Sequence, residues 1–206
     1  MADLAAFQGW MSAFAEEVQT HAEHLTDLDR AIGDGDHGSN MARGMGKVAA
    51  LAEESEFAAV DSYLKKVGMT VVSTVGGASG PLYGTFFLRM AGPLADVADV
   101  DAEQLGAALR AGVEGVVSRG KAEIEDKTMY DAWAPAVDAF EHHCEDGLAA
   151  ALEAAASAAA QGRDATEPLI ARKGRASYLG ERSRGHVDPG AASTVLLVQA
   201  AARTLA

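Results

Sequence analysis

The chain has 206 residues, 49% of them hydrophobic, enough for one globular domain over 1–206 with its own core. Thirty acidic residues against 17 Lys and Arg give a formal charge of −13, which argues against nucleic acid or an anionic membrane surface as a partner. One cysteine, Cys144, can close no internal disulfide, and the opening Met1-Ala2-Asp3-Leu4 has no basic stretch leading into an apolar run, so a cytoplasmic protein is expected.

Helical spacing runs through almost the whole chain. Leu4, Phe7, Met11, Phe14 and Val18 recur at intervals of three and four, as do Phe57, Val60, Leu64, Val67, Val71 and Val75. Period-two alternation is nearly absent. The spacing predicts eight helices, over roughly 2–25, 38–52, 56–75, 80–96, 101–119, 129–143, 146–171 and 188–205. Asp101 with Gln104 reads as an N-terminal capping box, and Asp188-Pro189 as a second helix start. Pro135 and Pro168 are expected to kink or shorten their helices. The alanine-rich stretch after Leu148 is broken by Glu153, so it does not read as a membrane span. Short connections favour an all-α antiparallel bundle. Two segments, 26–37 and 173–187, read as longer loops.

The first of these carries Asp29, Asp34 and Asp36 among glycines, in the run Asp29-Arg30-Ala31-Ile32-Gly33-Asp34-Gly35-Asp36-His37-Gly38. Three converging carboxylates repel unless a hard cation sits among them, and Mg²⁺ prefers such oxygen ligands. The competing reading is a solvated acidic turn whose aspartates serve as caps. His37, Gly38, Ser39 and Asn40 open a helix, whose free N–H groups could meet a phosphate. The spacing of Gly33, Gly35 and Gly38 matches a dinucleotide fingerprint, but a helix precedes it where that fingerprint needs a strand. An EF-hand fails because Met45 stands where the twelfth-position glutamate belongs. No Walker A loop is present.

Two further segments suit a phosphate. Gly76-Gly77-Ala78-Ser79-Gly80 joins two apolar helices, either as a plain turn or as a nest of N–H groups with Ser79 as an added donor. The run from Lys173 to Gly190 gathers Lys173, Arg175, Arg182 and Arg184 in an acidic protein and leads into a helix start, which suits a polyanion as well as a solvated loop. Glu141-His142-His143-Cys144 holds metal-binding atoms, but adjacent helical residues do not face one way. Trp10 and Trp133 read as core.

Taken together, the stretches LTDLDRAIGDGDHGSNMARG, GGASGPLYG, KTMYDAWAPA and GRASYLGERSRGHVDPGA resemble the nucleotide-binding L subunit of dihydroxyacetone kinase, also found as the C-terminal domain of ATP-dependent dihydroxyacetone kinases. The resemblance covers residues 25 to 191. It implies an eight-helix antiparallel barrel with ADP or ATP at one end. It implies that Asp29, Asp34 and Asp36 hold two Mg²⁺ ions, and that His37, Gly38, Ser39, Asn40, Ala78, Ser79, Gly120, Met129, Arg175, Asp188, Pro189 and Gly190 contact the nucleotide. Gly35 departs from the alanine expected there. The chain has no room for a sugar-binding domain, so the resemblance implies the free-standing subunit. In that system a phosphohistidine M subunit of the phosphotransferase system rephosphorylates bound ADP, and the phosphoryl group passes to dihydroxyacetone on the K subunit. Arg175 would stabilise charge on the transferring phosphate.

The residues leave two alternatives open: a nucleotide subunit of an ATP-exchanging kinase for another small keto-sugar, and a nucleotide sensor that regulates a partner. A homodimer also stays open.

Overall fold

The computed structural model describes residues 1–54 and 56–206. Asp3 accepts the N–H of Ala6 at 2.9 Å and starts α1 (Leu4–Thr20), whose Phe7, Trp10, Met11, Phe14 and Val18 face inward as their spacing predicts. Next come α2 (Ala22–Ile32), α3 (His37–Glu54), α4 (Val60–Thr74), α5 (Ser79–Met90) and α6 (Ala102–Gly120). The last three are α7 (Tyr130–His142), α8 (Leu148–Ala165) and α9 (Pro189–Thr204). Among the described residues the only β pairing is an isolated bridge between Ala2 and Val100. Both predicted caps form. Asp101 and Gln104 exchange bonds of 2.8 and 3.0 Å at the start of α6, and Asp188 Oδ2 accepts the N–H of Ala191 at 2.7 Å at the start of α9.

The first predicted helix is two. The chain breaks at His21 (φ −99°, ψ 10°), and α2 runs through much of the segment read as a loop over 26–37. Its inward face is Leu25, Asp29 and Ile32, spaced four and three apart. A carboxylate within that stripe, followed by glycines, makes a helix look like a loop. The predicted helix over 80–96 ends at Met90, ahead of Gly92-Pro93, and the one over 146–171 ends at Ala165, ahead of Pro168. The segment 173–187 contains 3₁₀ turns over Arg175–Ser183. The predicted connection at 53–55 includes residue 55, outside the described residues.

Helix α1 packs on α3 and α9, and each helix from α3 to α9 packs on the next, which closes a ring of eight. The ninth helix, α2, lies against α3 and α9. The expected barrel is therefore present, with α2 added to it. Aromatic side chains fill its interior: Trp10 and Trp133 are each 1% exposed, and Phe86 stacks on Trp133 at 4.4 Å between ring centroids.

Candidate nucleotide and metal site

A cavity of about 570 Å³ opens at one end of the ring. The N-terminal ends of α3, α5, α7 and α9 line it, alternating with Gly76 and Gly77, which follow α4, and with the C-terminal end of α6. Successive helices from α3 onward therefore run in opposite directions. Four helix N-termini aimed at one space give a concentration of partial positive charge and free N–H groups, a setting for an anion.

The three aspartates converge on this cavity from two elements. Asp29 projects from the last turn of α2, and its Oδ2 accepts the N–H groups of Asp36 and His37 at 2.8 and 3.1 Å. It thereby caps α3 from a neighbouring helix and fixes the turn that carries Asp34 and Asp36. The approach is tight: a Cβ at Gly33 would stand 2.1 Å from Asp29 Oδ1. One oxygen from each carboxylate lies within 4.8 Å of the other two. That all-oxygen set, open to the cavity, fits a hard divalent cation. Asp34 also accepts a salt bridge from Arg175 Nη2 at 3.0 Å, and both side chains are exposed.

Behind the aspartates lies a buried hydroxyl network. His37 Nδ1 meets Ser79 Oγ at 3.0 Å, and its Nε2 meets Ser193 Oγ at 2.9 Å. Ser193 in turn meets the Tyr83 hydroxyl at 2.7 Å. Burial lowers the His37 pKa against the opposing pull of Asp29 and Asp36, and raises that of Tyr83 to about 12. With both ring nitrogens occupied by serines, neutral His37 braces α3, α5 and α9 against one another.

The predicted contact residues divide. Ala78 and Ser79 at the start of α5, Gly120 at the end of α6, Met129 at the start of α7, Arg175, and the Asp188-Pro189-Gly190 turn all line the cavity. Gly38, Ser39 and Asn40 do not. Gly38 abuts the α2 backbone, where a Cβ would lie 1.9 Å from the Ala22 carbonyl oxygen. Ser39 donates to the carbonyl of Asp36, and Asn40 accepts from Arg43. Asp188, half-buried at the cavity edge, has its carboxyl pushed up to about 7 by desolvation.

Sequence reasoning missed Lys127, Asp131, Ser193 and Tyr83. Lys127 is 1% exposed and donates to three carbonyls at the end of α8. Asp131 accepts the N–H groups of Glu125 and Thr128. The available signal was a charged pair at spacing four, Lys127 and Asp131, around the start of a helix.

A profile of the DAK2 domain matches residues 31–203. The chain belongs to the DAK2 domain family. It is 49% identical over 195 residues to the "PEP-dependent dihydroxyacetone kinase 1, ADP-binding subunit DhaL" of Listeria innocua, covering 95% of this chain and 93% of that one. It is 47% identical over 196 residues to the "PEP-dependent dihydroxyacetone kinase, ADP-binding subunit DhaL" of Escherichia coli, covering 92% and 91%. The crystal structure of the dihydroxyacetone kinase of C. freundii superposes with a TM-score of 0.76 at 25% identity, over 98% of this chain. The DAK2 chain spans 35% of that kinase.

Proposed function

We propose that the chain is the nucleotide-binding subunit of a phosphoenolpyruvate-dependent dihydroxyacetone kinase, a phosphotransferase subunit active with its partners. The observation that carries this is the similarity, over more than nine-tenths of both chains, to subunits whose names state that role. The ring-end cavity, where the carboxylates and the basic loop meet at the rim, supports it. ADP stays bound, receives a phosphoryl group from a phosphohistidine M subunit, and the group passes to dihydroxyacetone held on the K subunit, all in the cytoplasm.

Asp29, Asp34 and Asp36 would hold two Mg²⁺, which when bound supply charge neutralisation for the nucleotide phosphates. Asp29 does this from a fixed position, because two backbone N–H groups orient its carboxylate. Ser79 and the N-terminus of α5 would face the phosphates, and His37 holds the Ser79 hydroxyl. Met129, Gly120 and Pro189 would border the nucleoside. Arg175, exposed and within reach of Asp34, would place a guanidinium against charge that develops on the transferring group. Phosphoryl transfer asks for positioning and charge compensation more than for a covalent protein group, and these residues provide both.

The test is reconstitution. The chain alone with ATP and Mg²⁺ should phosphorylate no dihydroxyacetone. Prebound ATP with the K subunit should give a single turnover, and sustained turnover should need the phosphohistidine subunit. Many turnovers on free ATP with the K subunit alone would overturn the reading.

A further inference from the structure

We infer that Lys127 is a positioning residue for the basic loop that carries Arg175, acting from behind the cavity through the end of α8. The role at Arg175 rests on the proposed function; the clamp itself does not. Lys127 precedes α7 in the left-handed region (φ 62°), with its side chain buried. Neither feature is favourable alone: a non-glycine residue resists that conformation, and a buried ammonium loses its hydration. Hydrogen bonding offsets both. Nζ donates to the carbonyls of Thr166, Leu169 and Glu167 at 2.8, 3.1 and 3.3 Å. These follow directly on α8, where a helix presents unpaired carbonyls and the negative end of its dipole. An ammonium has three hydrogens, and all three are placed. Lys127 therefore has none left for a phosphate, although it borders the cavity.

The clamped stretch is also where the basic loop is tied at both ends. Arg172 N–H donates to the carbonyl of Asp126, the neighbour of Lys127, at 3.0 Å. Gly185 N–H donates to the Glu167 carbonyl at 2.8 Å, and Asp188 N–H to Thr166 Oγ1 at 3.0 Å. Ala171 N–H donates to Ser183 Oγ at 2.9 Å and closes the base of the loop. Arg175 itself is exposed, and among the described residues the surface pair to Asp34 is its one side-chain tie. Its place over the cavity thus depends on those ties: two end on Thr166 and Glu167, residues whose carbonyls Lys127 holds, and a third ends on Asp126, the residue before Lys127.

Lys127→Met keeps the length of the side chain and removes its donors. In the nucleotide-free chain, amide exchange over 171–188 should quicken by about tenfold or more, with α4 and α5 unchanged. In the reconstituted system kcat should fall by about 10–100-fold, with a much smaller change in Mg·ADP affinity. Adding Arg175→Ala to Lys127→Met should cost little more, since one acts through the other. In a Cys144→Ala background, Lys127→Cys alkylated with bromoethylamine while unfolded and then refolded should restore both exchange and kcat to the level of Cys144→Ala alone. Unchanged exchange over 171–188, or effects of the two substitutions that multiply, would overturn the inference. If Lys127→Met does not fold, the unaltered chain decides: the amides of Arg172, Gly185 and Asp188 should open together in mild denaturant, and independent opening would overturn it. Absence of transfer in the unaltered reconstituted system would instead count against the proposed function and leave the exchange result standing.

Discussion

The three aspartates are chemically alike but structurally unequal. Asp29 is 9% exposed and caps two backbone N–H groups, whereas Asp34 is exposed and makes one surface ion pair. Asp29→Ala should therefore destabilise the nucleotide-free chain by about 1–2 kcal/mol. Asp34→Ala should change it by less than about 0.5 kcal/mol, since exposed pairs contribute little. Both should abolish Mg²⁺-dependent nucleotide binding, read by calorimetric titration beside a denaturant melt. Asp188 gives a pH signature. Its folded pKa, about 7, lies above the ordinary 3.8, so the native state holds the proton more tightly than the unfolded chain. The stability from this group is complete below about pH 4 and is lost as pH rises through about 7. Asp188→Asn keeps an acceptor for the Ala191 N–H, and it should flatten that part of the decline in melting temperature between pH 5 and 7.5. An identical slope in the variant would refute the assignment.

At the scale of elements, much was legible and the exceptions share a cause. The capping box at Asp101 and the Asp188-Pro189 start declare themselves because caps act locally. The three phosphate-suited segments do converge on one cavity, since each ends or begins a helix at the same end of the ring. Helix α2 was not legible because its inward stripe includes Asp29. The His37 network and the Lys127 clamp were not legible either: their partners lie 156 and 39 residues away, and no local pattern points across such distances. The junction of α2 and α3 makes a paired test. A Cβ at Gly38 would press into the Ala22 carbonyl, whereas one at Gly46, later in α3, meets nothing within 4 Å. Gly38→Ala should cost roughly 1–3 kcal/mol and weaken Mg²⁺ binding by shifting Asp36 from Asp29. Gly46→Ala should stabilise by about 0.5–1 kcal/mol through helix propensity. Thermal melts of the two variants, moving in opposite directions, would confirm the packing.

At the scale of the molecule, the ring leaves one end with like-charged carboxylates and open helix N-termini. A ligand that satisfies both adds to stability by mass action, about 2.7 kcal/mol at a hundredfold excess over Kd. For a chain of this size, Mg·ADP should raise the melting temperature by about 5–10 °C, and EDTA followed by nucleotide removal should reverse the rise. The ring closes only through α9, which packs between α8 and α1 and brings Asp188 to the cavity. Synthesis delivers that helix after every other member of the ring. On the ribosome the earlier helices must wait with their seam exposed, since neither the barrel nor the nucleotide pocket can be completed before residue 204 clears the exit tunnel. The nascent chain therefore passes its most aggregation-prone interval without help from its ligand, and the emergence of α9 from the exit tunnel, more than the order in which the other helices form, sets when this protein can first bind a nucleotide.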